Sequence, residues 1–117
     1  MAGVSEPLIQ ASLLGDAIEH GPVAVFVADE HGKYVAVNQA ACVLLGYSRD
    51  ELLGLHVADV ARYGEATEEW RDMRQAGTLT GTSRLTRKDG TTVEFSYIAG
   101  ATRVAGMPLF VSIGAPA

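Results

Sequence analysis

The sequence predicts an α+β fold, one antiparallel sheet with helices on one face and an N-terminal helix ahead of it. Three observations predict it. Strand-like runs cluster at the two ends, over 23–37 and 78–113. Hairpin signals join them, Asp29-Glu30-His31-Gly32 in the first cluster and Lys88-Asp89-Gly90 in the second. Between the clusters the patterns are helical and short.

Each element has its own warrant. Over residues 8–20, Leu14 with Ile18, and Ile9 with Leu13 and Ala17, recur at helical spacing, and Gly21-Pro22 ends the helix. VAVFVA at 23–28 and KYVAV at 33–37 are β-rich. Asn38 then begins NQAACVLLGYSRDELLG, in which two helical pieces follow in tandem. Asn38 is an N-cap for 39–46, and Ser48 with Glu51 three residues on is a capping box for 49–53. A third piece falls at 56–61 and a longer helix at 65–76, EATEEWRDMRQA, ended by Gly77. A strand at about 78–87 leads through Asp89-Gly90 into TTVEFSYI, where Val93, Phe95 and Tyr97 share one face. The last strand, 107–113, follows a turn over Arg103 to Gly106. Its Pro108, lacking a ladder donor, belongs at a strand end or an unpaired edge.

Composition narrows the function. At 117 residues, with 48% hydrophobic and 20% charged, the chain can build one core without disulfides. A net charge of −5 with scattered basic residues argues against nucleic acid. The densest basic group, Arg84, Arg87 and Lys88, reads as a solvated turn. Cys42 is the single cysteine, so no internal disulfide forms, which suits a reducing, cytoplasmic setting. No apolar run reaches the length of a membrane span, and MAGVSEPLIQ lacks the pattern of a signal peptide.

Taken in order, the pieces resemble a PAS domain over residues 14–113. Those pieces are the strand, acidic-Gly turn and strand of VAVFVADEHGKYVAV, then Asn38, the helix ending in Leu45-Gly46-Tyr47-Ser48, Glu51-Leu52-Leu53-Gly54, and Arg87-Lys88-Asp89-Gly90. The resemblance implies a five-stranded antiparallel sheet in the order 2-1-5-4-3 with helices on one face. The expected division is an N-terminal segment and helix over 1–21 and the PAS core over 22–117. It also implies a sensor or interaction module beside an effector such as a kinase or phosphatase, rather than an enzyme. Such domains often close on an Asp-Ile-Thr linker, whereas VSIGAPA stands at 111–117. Either the linker is altered or the chain is a domain cut from a longer protein, and the cut is the expectation.

The residues bear on the cofactors that such domains carry. Haem ligation by a histidine of the long helix fails, since 65–76 has none; His56 is the remaining candidate, while His20 caps a helix end and His31 lies in a turn. No run matches the photoreactive-cysteine pattern of flavin sensors, and Cys42 among Ala40, Ala41 and Val43 reads as packing. No cluster has metal-ligand spacing. His56 and Asp59, at i and i+3, form a helix-face pair that falls short of catalytic grammar.

An apolar pocket remains. Its expected wall is Val25, Val27, Val37, Val43, Leu44, Leu52, Val57, Val60, Trp70 and Met73, with Phe95, Tyr97, Leu109 and Val111 from the sheet. The inward face of each strand stays open by one residue, and that slip exchanges the whole set. Arg71 and Arg74 are candidate contacts for a carboxylate at the mouth. Leu8, Leu13 and Leu14 cannot all face one sheet and are the expected homodimer interface. The expected function is therefore a regulatory module that binds an apolar or amphiphilic molecule, for example a fatty acid, and dimerises. The alternatives are a ligand-free relay, or a haem- or flavin-binding sensor.

Overall fold

The computed structural model describes residues 3–61 and 77–117 of the chain. A short 3-10 turn, Gly3–Ser5, leads into helix α1, Pro7–Glu19. Strands β1 (Ala24–Asp29) and β2 (Tyr34–Val37) follow, then helices α2 (Gln39–Leu45), α3 (Arg49–Leu52) and α4 (Val57–Val60). Strands β3 (Thr78–Thr86), β4 (Thr92–Val104) and β5 (Met107–Pro116) complete the described residues. The helix expected at 65–76 falls outside them, and with it Trp70, Arg71, Met73 and Arg74.

The five strands form one antiparallel sheet in the order β2-β1-β5-β4-β3. This is the order the resemblance implied. The last strand lies at the centre, between β1 and β4. Pro108 is its second residue, opposite Arg103, and β1 stops one residue earlier at the Asp29–Leu109 pair. Its missing N–H therefore costs no inter-strand bond to β1.

Local chemistry sets the helix boundaries. Glu6 caps α1 by accepting from the Leu8 and Ile9 amides, with Pro7 at the first helical position. Gly46 ends α2 at φ 78°, the left-handed geometry of a C-cap. Ser48 and Glu51 form the expected reciprocal capping box on α3.

Two strands run further than their sequence pattern. β4 continues six residues past Ile98 to Val104, and β5 continues past Ile113 to Pro116. The turn between them shrinks to Ala105 and Gly106, both at positive φ (51° and 81°). Gly114, which reads as a strand end in the sequence, is paired on both sides, with Ala24 and with Tyr97. A Cβ there would fall 2.1 Å from the Ser96 carbonyl oxygen and 2.9 Å from the Phe95 ring. The bare backbone lets the Phe95 ring lie across β5. It reaches Phe26 on β1 edge-to-face, with centroids 5.8 Å apart at 88°.

The core fills the space between the inner face of the sheet and the helices. Leu45, Leu52 and Val60 are its fully buried anchors. Phe26, Ala28, Tyr34, Val37, Leu85, Phe95, Tyr97, Ala99 and Phe110 supply the sheet side.

Candidate functional site

The inner layer is not solid throughout. A partly enclosed cavity of about 100 Å³ lies between the sheet and α4. Among the described residues, Phe26, Ala28 and Tyr34 line it from β1 and β2, Val57 and Ala61 from α4 and its C-cap, and Leu79, Ser83 and Leu85 from β3. Phe95, Tyr97 and Ala99 of β4 and Phe110, Val111 and Ser112 of β5 complete the wall. The lining is mostly apolar and aromatic, the character of a small-molecule site. Phe26 contacts Tyr34 at 5.6 Å, and Phe95 stacks on Tyr97 at 6.3 Å and 14°. Burial pushes the Tyr34 phenol far above its ordinary range, and the Asp59 carboxylate adds to the effect. Tyr34 therefore stays a neutral wall residue.

The expected pocket residues divide into groups. Val57, Phe95, Tyr97 and Val111 come together on the cavity wall. Val37, Leu52 and Val60 pack in the core beside it. Val25, Val27 and Leu109 do not reach it, a correction with a definite cause. In the β1–β5 register Phe26 faces Ser112 and Ala28 faces Phe110, so those pairs take the inner face. Val25–Ile113 and Asp29–Leu109 alternate onto the outer face, as does Val27, although its partner Val111 still borders the cavity. The run VAVFVA is apolar at every position, so no alternation marks which set turns inward. Val43 is also displaced. It is 75% exposed on α2 and borders a separate shallow hollow with Leu44, His20 and Pro116. The missed wall residues Phe26, Ala28, Phe110 and Ser112 are the period-two complement of the set expected on β1 and β5.

Polar contacts hold the helices over the cavity. Asn38 is buried and uses its whole amide. Its Oδ1 accepts from the Val25 and Ala41 amides at 2.9 and 3.1 Å. Its Nδ2 donates to the Ile18 and Val23 carbonyls at 2.7 and 2.8 Å. On the opposite side, the β3–β4 turn is a clamp rather than a solvated loop. Arg87 Nε donates to the Leu44 carbonyl at 3.1 Å and the Lys88 amide to the Leu45 carbonyl at 2.9 Å, closing the C-terminus of α2. Lys88 Nζ also donates to Glu51 at 2.7 Å. That bond, with the Ser48 amide, draws the Glu51 carboxyl down to about 2.

The remaining titratable candidates lie away from the cavity. His20 contacts Gln39 at the end of α1, 3.2 Å apart. His56 caps α4, and Asp59 accepts from the His56 main-chain amide at 2.8 Å, so the carboxylate does not orient the imidazole. Burial raises the Cys42 thiol above its ordinary range, and it is absent from the described cavity wall. Among the described residues no group of His, Cys, Asp or Glu is placed to hold a metal. Among the described residues, the cavity wall carries no His or Cys.

Leu8, Leu13 and Leu14 are 78%, 52% and 61% exposed, and no residue of α1 is buried. The chain's own sheet leaves that helix uncovered. Among the described residues no helix is long and apolar enough to cross a membrane.

Comparison with known proteins agrees with this architecture. The sequence profile of the PAS domain family matches residues 22–113. No curated protein matches the chain. Among solved structures, a PAS domain from a two-component sensor histidine kinase superposes with a TM-score of 0.84 at 18% identity, over 95% of this chain and 99% of that one. A domain of a sensory box sensor histidine kinase/response regulator from Geobacter sulfurreducens gives 0.82 at 23% identity, over 96% and 98%. An RNA-binding light-oxygen-voltage receptor gives 0.81 at 20% identity, over 99% of this chain and 36% of that one. At these identities the likeness is one of fold.

Proposed function

Because the chain belongs to the PAS domain family, a family of signalling sensor modules, we propose that it senses a small apolar or amphiphilic molecule and passes the event to an effector domain through self-association. The observation that carries this reading is the aromatic-walled cavity between the sheet and α4. Its volume of about 100 Å³ suits a compact apolar group. A space of ~150 Å³ lined by such side chains is known to hold benzene. A longer molecule such as a fatty acid would have to leave its remainder at the open side. The module works without catalysis, in the cytoplasm, as a homodimer joined through the apolar residues of α1, and its partner is a kinase, phosphatase or similar effector.

Native mass spectrometry of the protein purified from cells, followed by NMR titration with xenon and with a medium-chain fatty acid, tests the ligand. Shifts confined to Val57, Phe95 and Ala99 are expected. No adduct mass and no shift at the wall with either probe would remove ligand sensing from the proposal. A visible absorption band of haem or flavin would overturn the apolar reading.

The second reading is a ligand-free relay. It is favoured by the same volume, which falls below the ~300 Å³ at which ordinary small-molecule sites begin. An unaltered wall under both probes, together with a dimer in sedimentation, selects it.

A further inference from the structure

His56 stands where α4 meets the β1–β2 turn, and both ring nitrogens are engaged. Nδ1 accepts from the Ala58 amide at 3.0 Å. That bond needs the Nδ1 lone pair, so the ring proton sits on Nε2, which donates to the His31 carbonyl oxygen. The ring lies against Gly32, where an added Cβ would fall 2.5 Å from His56 Nε2. Gly32 is at φ +85°, so the tight turn and the close approach both call for glycine. Main-chain bonds run alongside, Val57 N to Gly32 O at 2.8 Å and Tyr34 N to Leu55 O at 3.2 Å. Through Val57 and Ala61 the same helix forms part of the cavity wall.

We infer that His56 is a protonation-sensitive latch on the first turn of α4, the helix that supplies one wall of the cavity, at the point where it meets the β1–β2 turn. Its Nε2 bond to the turn persists, and its cap on α4 is what a second proton removes. A second proton can enter only at Nδ1. It would turn the acceptor of the Ala58 amide into a donor, so two N–H groups would face each other at the cap. His56 is an exposed residue, open to exchange with solvent.

Among the described residues, the charged neighbours of the ring make their hydrogen bonds to main-chain amides or lie in the β1–β2 turn. The Asp59 carboxylate is bound to the His56 main-chain amide. Asp29 accepts from the His31 and Lys33 amides at 2.8 and 3.0 Å. Glu30 lies 3.8 Å from the His31 ring, and Lys33 adds a positive charge in the same turn. Protonation at Nδ1 therefore releases the cap of α4 and loosens the wall that Val57 and Ala61 supply. The inference concerns the chain alone and holds whether or not a ligand binds.

Amide hydrogen exchange of the full 117-residue chain, compared between about pH 7.5 and about pH 5.5 after correction for intrinsic rates, tests it. The Ala58 amide is expected to lose protection by about fivefold, the scale of one helix cap, with Val57 following and the amides of β4 unchanged. His56→Asn keeps a capping acceptor that does not titrate, and it should abolish the pH response. His31→Gln should retain it. An unchanged Ala58 amide, an equal loss in His56→Asn, or a response that disappears in His31→Gln would each overturn the latch. The ring tautomer of the unmodified protein is an independent readout that needs no variant. Nitrogen shifts at high pH should place the hydrogen on Nε2, and a hydrogen on Nδ1 would sink the proposal.

Discussion

Asn38 makes four hydrogen bonds from one buried side chain, and each partner lies on a different stretch of backbone: the end of α1, its connection to β1, β1 itself and the first turn of α2. Replacing Asn38 with Ala strands the buried amides of Val25 and Ala41 and removes a donor from the part-buried carbonyls of Ile18 and Val23. The expected loss is about 2–4 kcal/mol, measured as a lower denaturant midpoint with unchanged slope. Gly114→Ala is expected to cost at least about 2 kcal/mol, because its Cβ meets the Ser96 main chain as well as the movable Phe95 ring. A normal unfolding midpoint in Gly114→Ala would show that β5 can shift to accommodate it. These residues differ in how far the sequence reveals them. The cap at Asn38 is legible, because capping acts over three residues and leaves a local signature. Its bonds to Ile18 and Val23 leave none. Gly114 reads as a terminator, since its neighbours do not show that Phe95 will lie across it. Val25 and Val27 exchange faces with Phe26 and Ala28 for a related reason. Only the partner strand decides which side of a uniformly apolar strand turns inward.

At the scale of elements, the β3–β4 hairpin and the α2–α3 pair stabilise each other. The hairpin itself was legible, because Asp89-Gly90 is a local turn code. Its work as the C-terminal cap of α2 was not, since Arg87 reaches Leu44 across 43 positions of sequence. Arg87→Ala is expected to lower stability by about 1–2 kcal/mol, through the open carbonyl at Leu44 and the lost bond to Thr92. The Lys88–Glu51 contact predicts an acid dependence. The Glu51 carboxyl falls from an ordinary 4.5 to about 2 in the folded protein. The folded state therefore prefers the carboxylate, and this contribution is whole above the ordinary value. It is lost as pH drops from 4.5 toward about 2. Glu51→Gln should flatten part of the acid limb of a stability-against-pH curve, more visibly at low salt because the pair is exposed. The hydrogen bonds of Thr91 to Asp89 also hold that carboxyl below its usual range, so some acid sensitivity should remain in the variant. An acid limb identical to the unmodified protein would remove the role given to this pair.

At the scale of the whole molecule, the layer arrangement was legible because hairpin signals and caps agree with one another, and the strand order came from the family resemblance. The extent of β4 and β5 was not, since small residues such as Gly100 and Ala101 carry no alternation. The uncovered α1 makes a prediction about assembly. Leu13→Glu should shift sedimentation toward monomer while leaving the thermal unfolding of the core nearly unchanged, since Leu13 is exposed and is no member of the buried core. A monomer at every concentration of the unmodified chain would remove the homodimer. The central position of β5 has a further consequence, for synthesis. On the ribosome, β1 and β2 emerge first and β3 with β4 later, as two separate hairpins. The strand that joins them, Met107–Pro116, emerges last. Until its residues clear the exit tunnel, β1 and β4 each present an unpaired edge to the surrounding protein. Folding should therefore proceed as a late, nearly single step after translation of this region. A nascent chain stalled at Val104 should stay protease-sensitive and bind chaperones, whereas one released past Pro116 should not.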